Sequence, residues 1–268
     1  MLRTHIDALG RTFQAPALPQ RVVSLCPSHT VTLLEMGVPV VGRTRYCIHP
    51  AGVVEGILEV GGTKKVDYAL IEQLRPDLII CEKEENTPEM VAQLEQIAPV
   101  AVTDVRCLDS CIQMIHQLGA FTGRQVEARR VAAQVGAALA VLPQTPLGSV
   151  AYLIWRKPWM GAGSDTFIHA VLNRIGLSNV LATQPGRYPS FSLEGLAQLQ
   201  PDTVLLSSEP FPFAQRHVEE IQEALPRARV QLVDGEAFSW YGSWLVRKTP
   251  YLAMLAQALR SPIQDIKD

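Results

Sequence analysis

The sequence predicts an α/β protein of two Rossmann-like lobes, each with a mostly parallel sheet, joined by one long connecting helix. Three observations lead there. A unit of short helix, Pro-Asp turn and buried strand occurs twice, once over Ala69 to Ile80 around Pro76-Asp77 and again over Glu194 to Leu205 around Pro201-Asp202. Short apolar strands alternate with helices in both halves, the pattern of a parallel sheet covered on both faces. The stretch between the halves has helical periodicity and is not a Gly-, Ser- or Pro-rich linker.

Taken in order, Arg21-Val22-Val23-Ser24-Leu25 is β-branched and apolar and reads as the first strand. It runs into the polar turn Cys26-Pro27-Ser28-His29-Thr30 and a helix from Val31 to Met36, stopped by Gly37. Val40-Val41, entered through Pro39, is a second, very short strand. Leu78 to Cys81 and Val100 to Val102 are the third and fourth, with helices at Ala69 to Leu74 and Glu89 to Ile97. Thr122-Gly123-Arg124-Gln125 has the spacing of a capping box and opens an apolar series Val126, Val131, Val135, Ala138, Leu139 and Leu142 before Pro143. About 20 residues of helix rise roughly 30 Å, so the lobes are expected to be joined stiffly. The boundaries are residues 1–121, 122–143 and 144–268.

The second half repeats this order. Val150 to Ile154 is a strand, Trp155 to Ser164 a polar loop, and Asp165 to Ile175 a helix closed by Gly176. Thr203 to Leu206 and Val230 to Val233 are further strands, with helices around Gln215 to Ala224 and Trp244 to Leu259. Asp77 and Asp202 lie 125 positions apart, and the same offset pairs Ile71 with Leu196, Leu74 with Leu199 and Glu84 with Glu209.

Composition narrows the function classes. At 268 residues with 47% hydrophobic and 19% charged residues and a net charge of −2, the chain has no basic excess for a phosphate backbone. No apolar run approaches the ~20 residues of a membrane span. Met1 to Asp7 shows no secretory signal, which predicts the cytoplasm if Met1 is the native start. The periplasm or cell surface follows instead if an export signal precedes this chain. The odd set Cys26, Cys47, Cys81, Cys107 and Cys111 reads as free thiols, and the i,i+4 pair Cys107 and Cys111 is a weak metal signal.

Several of these segments together resemble a known family. They are Arg21 to Ser28, the Gly42 loop with Tyr46, the Val60-Gly61-Gly62 turn, both Pro-Asp turns and the linking helix. From about residue 18 to 260 the chain looks like the periplasmic substrate-binding proteins of cobalamin, haem and ferric-siderophore importers, the helical-backbone metal receptors. Through Ser207 to Phe213 and Asp234 to Gly242 it is most similar to the cobalamin-binding members. The resemblance implies a non-catalytic binding protein, a monomer with no resident cofactor or metal, serving an ABC-type importer. Its ligand would be cobalamin or another metal chelate, held in an interlobe cleft.

In open parallel sheets ligands bind beyond the carboxyl ends of the strands. The loops there contain Pro27, Ser28 and His29; Arg45 and Tyr46; Trp155, Arg156 and Trp159; Phe211; and Phe238, Trp240 and Tyr241. Tyr188 and Tyr46 are candidates to contact the ligand or to ligate its iron. Three of the four tryptophans fall in these loops, and flat side chains with polar tips suit a large, flat, partly polar ligand such as a corrinoid or tetrapyrrole. Arg45 and Arg156 are candidates to pair with a carboxylate or phosphate of the ligand. The family likeness also implies one acidic residue per lobe docking on the importer's membrane subunits. The repeat assigns these to Glu84 and Glu209, with Glu82, Glu85 or Glu89 as alternatives in the first lobe.

Other classes find less support. Ser28 and His29 are adjacent and point apart, and no Gly-x-Ser-x-Gly, His-Glu-x-x-His or phosphate-loop motif occurs. A tetrapyrrole-handling, chelatase-like enzyme would use His29 with Glu82 or Glu84. A bare transition-metal receptor would need three or four His, Asp or Glu ligands, yet His5, His116 and His217 lie off the strand-end loops.

Overall fold

A computed structural model describes residues 1–260, so the last eight positions of the expected second lobe, 261–268, lie outside the described residues. The chain divides into two compact α/β units. The first holds 1–105, 109–138 and 241–246; the second holds 106–108, 139–240 and, among the described residues, 247–260.

The first unit opens with a hairpin, β1 (Leu2–Ile6) paired antiparallel with β2 (Thr12–Pro16). The buried Asp7 carboxylate closes its turn by accepting the N–H groups of Leu9 and Arg11 at 2.9 and 3.0 Å. Then come β3 (Val22–Ser24), α1 (Pro27–Glu35), β4 (Val40–Arg43), β5 (Leu58–Glu59), α2 (Tyr68–Gln73), β6 (Leu78–Glu82), α3 (Pro88–Leu94), β7 (Val100–Thr103), α4 (Leu108–Thr122) and α5 (Gln125–Ala140). The five strands from β3 to β7 form one all-parallel sheet in the order β5-β4-β3-β6-β7. Every residue of β3, β6 and β7 is buried, as a strand covered on both faces requires. Val23, Ile79, Cys81, Val100 and Val102 pack on one side against Ile71 of α2 and Leu94 of α3.

Two helix expectations are corrected here. Helix α1 begins at Pro27, not Val31, because proline suits the first helical position, where no N–H is needed. The capping box at Thr122 does not form. Thr122 is the last residue of α4, and its hydroxyl donates to the Leu118 carbonyl at 2.7 Å. Helix α5 therefore starts at Gln125 and has 16 residues, about 24 Å at 1.5 Å each. Its Val131, Val135 and Leu139 are buried as the periodicity predicts, whereas Ala138 is half-buried and Val126 is 67% exposed.

The second unit contains β8 (Ser149–Trp155), β9 (Trp159–Gly161), α6 (Phe167–Arg174), β10 (Ser178–Asn179), β11 (Ser190–Phe191), α7 (Leu193–Gln198), β12 (Thr203–Ser207), α8 (Gln215–Ala224), β13 (Arg229–Val233), α9 (Glu236–Ser239) and α10 (Trp244–Arg260), the first three residues of which belong to the first unit. Its sheet runs β11-β9-β8-β12-β13, with β10 also on β8. The pairs β8-β12, β12-β13 and β10-β8 are parallel; β8-β9 and β9-β11 are antiparallel. The expected polar loop Trp155 to Ser164 thus contains a strand, too short at three residues to show an alternation.

The repeat is structural. Helices α2 and α7 and strands β6 and β12 each begin 125 positions apart, as do the left-handed residues Arg75 and Gln200, both with φ of 45°. In each unit the turn aspartate fastens the neighbouring strand. Asp77 accepts the N–H groups of Gln20 and Arg21 at 2.7 and 2.9 Å, just before β3. Asp202 accepts the N–H and hydroxyl of Ser149, both at 2.7 Å, at the start of β8. Among the described residues no helix is long and apolar enough to cross a membrane.

Candidate functional site

In the first unit the carboxyl ends of β3, β6 and β7 carry a buried polar set. Ser28, in the first turn of α1, accepts the Tyr241 N–H at 3.2 Å. The Tyr241 hydroxyl lies 3.4 Å from Cys26 Sγ. Farther along α1, the Thr32 hydroxyl donates to the Ser28 carbonyl at 2.9 Å and accepts the Ser243 N–H at 3.1 Å. Gly242 donates to Cys111 Sγ at 3.1 Å, and Trp244 stacks on His49 with centroids 4.2 Å apart. The segment 241–245 is buried along its whole length. Pro27 is half-buried beside it, and Tyr241 is packed along α1, not displayed on an open loop.

His29 is fully buried, with Nε2 3.0 Å from the Thr103 hydroxyl, and Nδ1 has no hydrogen-bond partner. Burial lowers its pKa from 6.5 to about 3, so the imidazole is neutral. Arg45 and Tyr46 are the open members of the expected set. Tyr46 is 54% exposed, and Arg45 makes only a long 3.8 Å contact with Glu59.

Glu82, at the end of β6, is the acidic residue on which the next loop depends. It is 2% exposed and accepts the N–H groups of Glu84, Glu85 and Val105 at 2.6, 3.0 and 3.3 Å. Desolvation raises its pKa from 4.5 to about 7 despite those donors. Glu84 is half-buried on this loop, and its carbonyl accepts from Lys64. Asn86 ties the same loop to Leu25 and Thr63 through their carbonyls. His29 and Glu82, one of the two pairs a chelatase would use, are each engaged within the fold.

In the second unit the loops after β8 and β12 build an aromatic group. Trp155, 41% exposed, meets Phe211 edge-on at 5.7 Å. Phe211 lies 4.8 Å from Phe213, and Phe213 is parallel to Trp159 at 6.1 Å. His217 of α8 packs edge-on against both phenylalanines at 5.4 Å. The Arg156 guanidinium sits 5.4 Å from the centre of the Trp159 ring and makes a bidentate pair with Glu220, at 3.0 and 2.7 Å. Phe213, His217 and Glu220 were not in the expected set. The i,i+3 spacing of His217 and Glu220, which puts them on one helix face, was the available signal.

Three other expected residues lie elsewhere in this unit. Phe238 is fully buried, 4.8 Å from the Tyr152 ring. Trp240 is 7% exposed and donates its indole N–H to Glu209 at 3.0 Å; Ser239 donates to the same oxygen at 2.6 Å. The Glu209 carboxylate is therefore held, and desolvation raises its pKa. Tyr188 is half-buried, with the Arg187 guanidinium 6.0 Å from its ring centre. Among the described residues no group of three His, Cys, Asp or Glu side chains is arranged to hold a metal ion.

Comparison with known proteins agrees with this architecture. The sequence profile of the periplasmic binding protein family matches residues 22–227. The vitamin B12-binding protein of Pectobacterium carotovorum is 24% identical over 259 residues, covering 93% of this chain and 90% of that protein. The crystal structure of the periplasmic vitamin B12-binding protein of Vibrio cholerae superposes with a TM-score of 0.75 at 18% identity, over 91% of this chain and 98% of that one. A periplasmic haem-binding protein from Roseiflexus gives a TM-score of 0.75 at 22% identity, over 90% and 97%.

Proposed function

The chain belongs to the periplasmic binding protein family, and on that premise we propose that it captures a metal chelate as the substrate-binding component of an ABC importer. The chelate is a corrinoid of the cobalamin kind in the first instance, and haem or a ferric siderophore otherwise. Binding without catalysis is the activity that family membership carries. The observation that supports a large flat ligand is the aromatic group Trp155, Trp159, Phe211 and Phe213 at the carboxyl ends of β8 and β12. The vitamin B12-binding relative, of which the chain spans nine-tenths, favours the corrinoid.

On this reading the first unit offers Tyr46 and Arg45, its open strand-end side chains, as ligand contacts. The protein is exported and acts as a monomer. Glu84 and Glu209, each just beyond its copy of the repeated strand, meet the importer's membrane subunits. Titration with cyanocobalamin, haemin and a ferric siderophore, followed by tryptophan quenching and the visible spectrum, tests the proposal. Binding of one of them with Kd below roughly 100 μM is expected; failure of all three removes the reading.

A further inference from the structure

Sequence alone offers Arg156 as a partner for a ligand carboxylate, and the geometry points elsewhere. Both guanidinium contacts go to Glu220, Nε to one carboxylate oxygen at 3.0 Å and Nη2 to the other at 2.7 Å. A bidentate pair of this kind fixes the guanidinium plane and offsets its charge with a carboxylate, which weakens its pull on a second carboxylate. The clamped guanidinium lies over the Trp159 indole, whose other partner is the parallel Phe213 ring. Glu220 in turn is set by α8, which also presents His217 to Phe211 and Phe213. One helix face thus arranges both the aromatic rings and the charge beside them. Lys157 and Arg216, the neighbouring cations, are exposed and screened by solvent.

We infer that Glu220 is a specificity-determining residue: by holding Arg156 over Trp159 and cancelling its charge, it makes the aromatic surface select a flat chelate without carboxylates over one that carries them. This rests on the receptor reading above. Glu220 need not touch the ligand; it acts through Arg156, and removing its charge gives the surface an uncompensated cation. A free guanidinium about 6 Å from a ligand carboxylate in a half-solvated site changes affinity by roughly five- to tenfold.

The test measures the affinities of the wild type, Glu220→Gln and Arg156→Gln for cyanocobalamin and for haemin, a dicarboxylate, by the visible spectrum, with thermal unfolding as the check on folding. Glu220→Gln is expected to shift the affinity ratio about fivefold towards haemin, with the shift shrinking as salt rises. Arg156→Gln leaves the Glu220 carboxylate uncompensated and is expected to shift the ratio away from haemin, whereas the double variant Arg156→Gln/Glu220→Gln, with neither charge, is expected to keep the wild-type ratio. An unchanged ratio in a folded Glu220→Gln protein overturns the inference. So does a selective loss of haemin in the double variant, which would make Arg156 itself the carboxylate reader and remains informative if the Glu220 single variant does not fold. A wild type that binds neither chelate removes the receptor reading, and the selectivity role falls with it.

Discussion

Gly242→Ala is a sharp test of how the segment 241–245 is fastened to α1. Gly242 has a φ of +71°, and a Cβ there would come within 2.2 Å of the Thr32 hydroxyl and 3.3 Å of Met114 Cε. The left-handed conformation alone costs an L-residue roughly 1–2 kcal/mol. Displacing the Thr32 hydroxyl also disturbs its bonds to Ser28 and Ser243, each worth about 1 kcal/mol, and overpacking a tight site adds roughly 1–3 kcal/mol. The sum is about 4–7 kcal/mol. Gly10→Ala is the matched control in the same unit: φ is +75° there, but nothing lies within 4 Å of the new Cβ, so only the conformational cost of roughly 1–2 kcal/mol applies. Urea unfolding followed by tryptophan fluorescence measures both, with Trp244, stacked on His49, as the local reporter. A difference of at least about 2 kcal/mol between the variants is expected. Equal destabilisation by the two substitutions would refute the reasoning, since it would mean that Thr32 yields at no cost.

Three further outcomes follow from the geometry. Asp77→Ala and Asp202→Ala each remove the clasp on a neighbouring strand and should cost about 1–2 kcal/mol in urea unfolding at pH 7. The Ser149 hydrogen bonds hold the folded pKa of Asp202 below 3.8, so its share is present above that pH and lost as pH falls further; a wild-type midpoint for Asp202→Ala at pH 7 would count against the clasp. For Glu82 the sign is opposite. Its folded pKa is raised from 4.5 to about 7, so its stabilising share is complete below pH 4.5 and lost as pH rises through 7. Glu82→Gln should therefore gain stability relative to wild type between pH 5 and 8, and parallel pH profiles for the two proteins would contradict this. Trp159→Ala should weaken chelate binding by about 1–3 kcal/mol, roughly five- to 150-fold, with little change in the far-ultraviolet spectrum. Unchanged affinity would remove Trp159 from the ligand surface.

Much of the fold was legible because its signals are local. The buried strands after each Pro-Asp turn are short runs of Leu, Ile and Val, and β6 and β12 lie where those runs predict. Helix α8 runs from Gln215 to Ala224 as its apolar spacing indicates. The failures occurred where a longer-range partner overrode a local pattern. Thr122 has the spacing of a cap, yet it ends α4 with its hydroxyl bonded back to Leu118. Strand β9 exists because β8 and β11 pair with it, which three residues alone do not reveal. The site shows the same contrast. The strand-end loops could be named from topology, and Tyr46 and Trp155 are open there. By contrast His29, Phe238, Trp240 and Tyr241 are buried, because their polar atoms or rings find partners within the fold.

By itself the sequence determined that this is a duplicated α/β chain, that its strand-end loops are rich in aromatics, and that two glutamates occupy equivalent positions in the copies. Residue order and periodicity carry that information, because hydrophobic patterning and turn chemistry act over a few neighbours. Only the tertiary structure decided which side chains are free to meet a ligand. Arg156 is committed to Glu220, 64 positions away, Trp240 to Glu209, and Tyr241 to Cys26, 215 positions away. A charged or polar side chain brought out of bulk water takes the nearest geometrically suitable partner, and that partner is set by how the chain folds back on itself, not by what stands beside it in sequence.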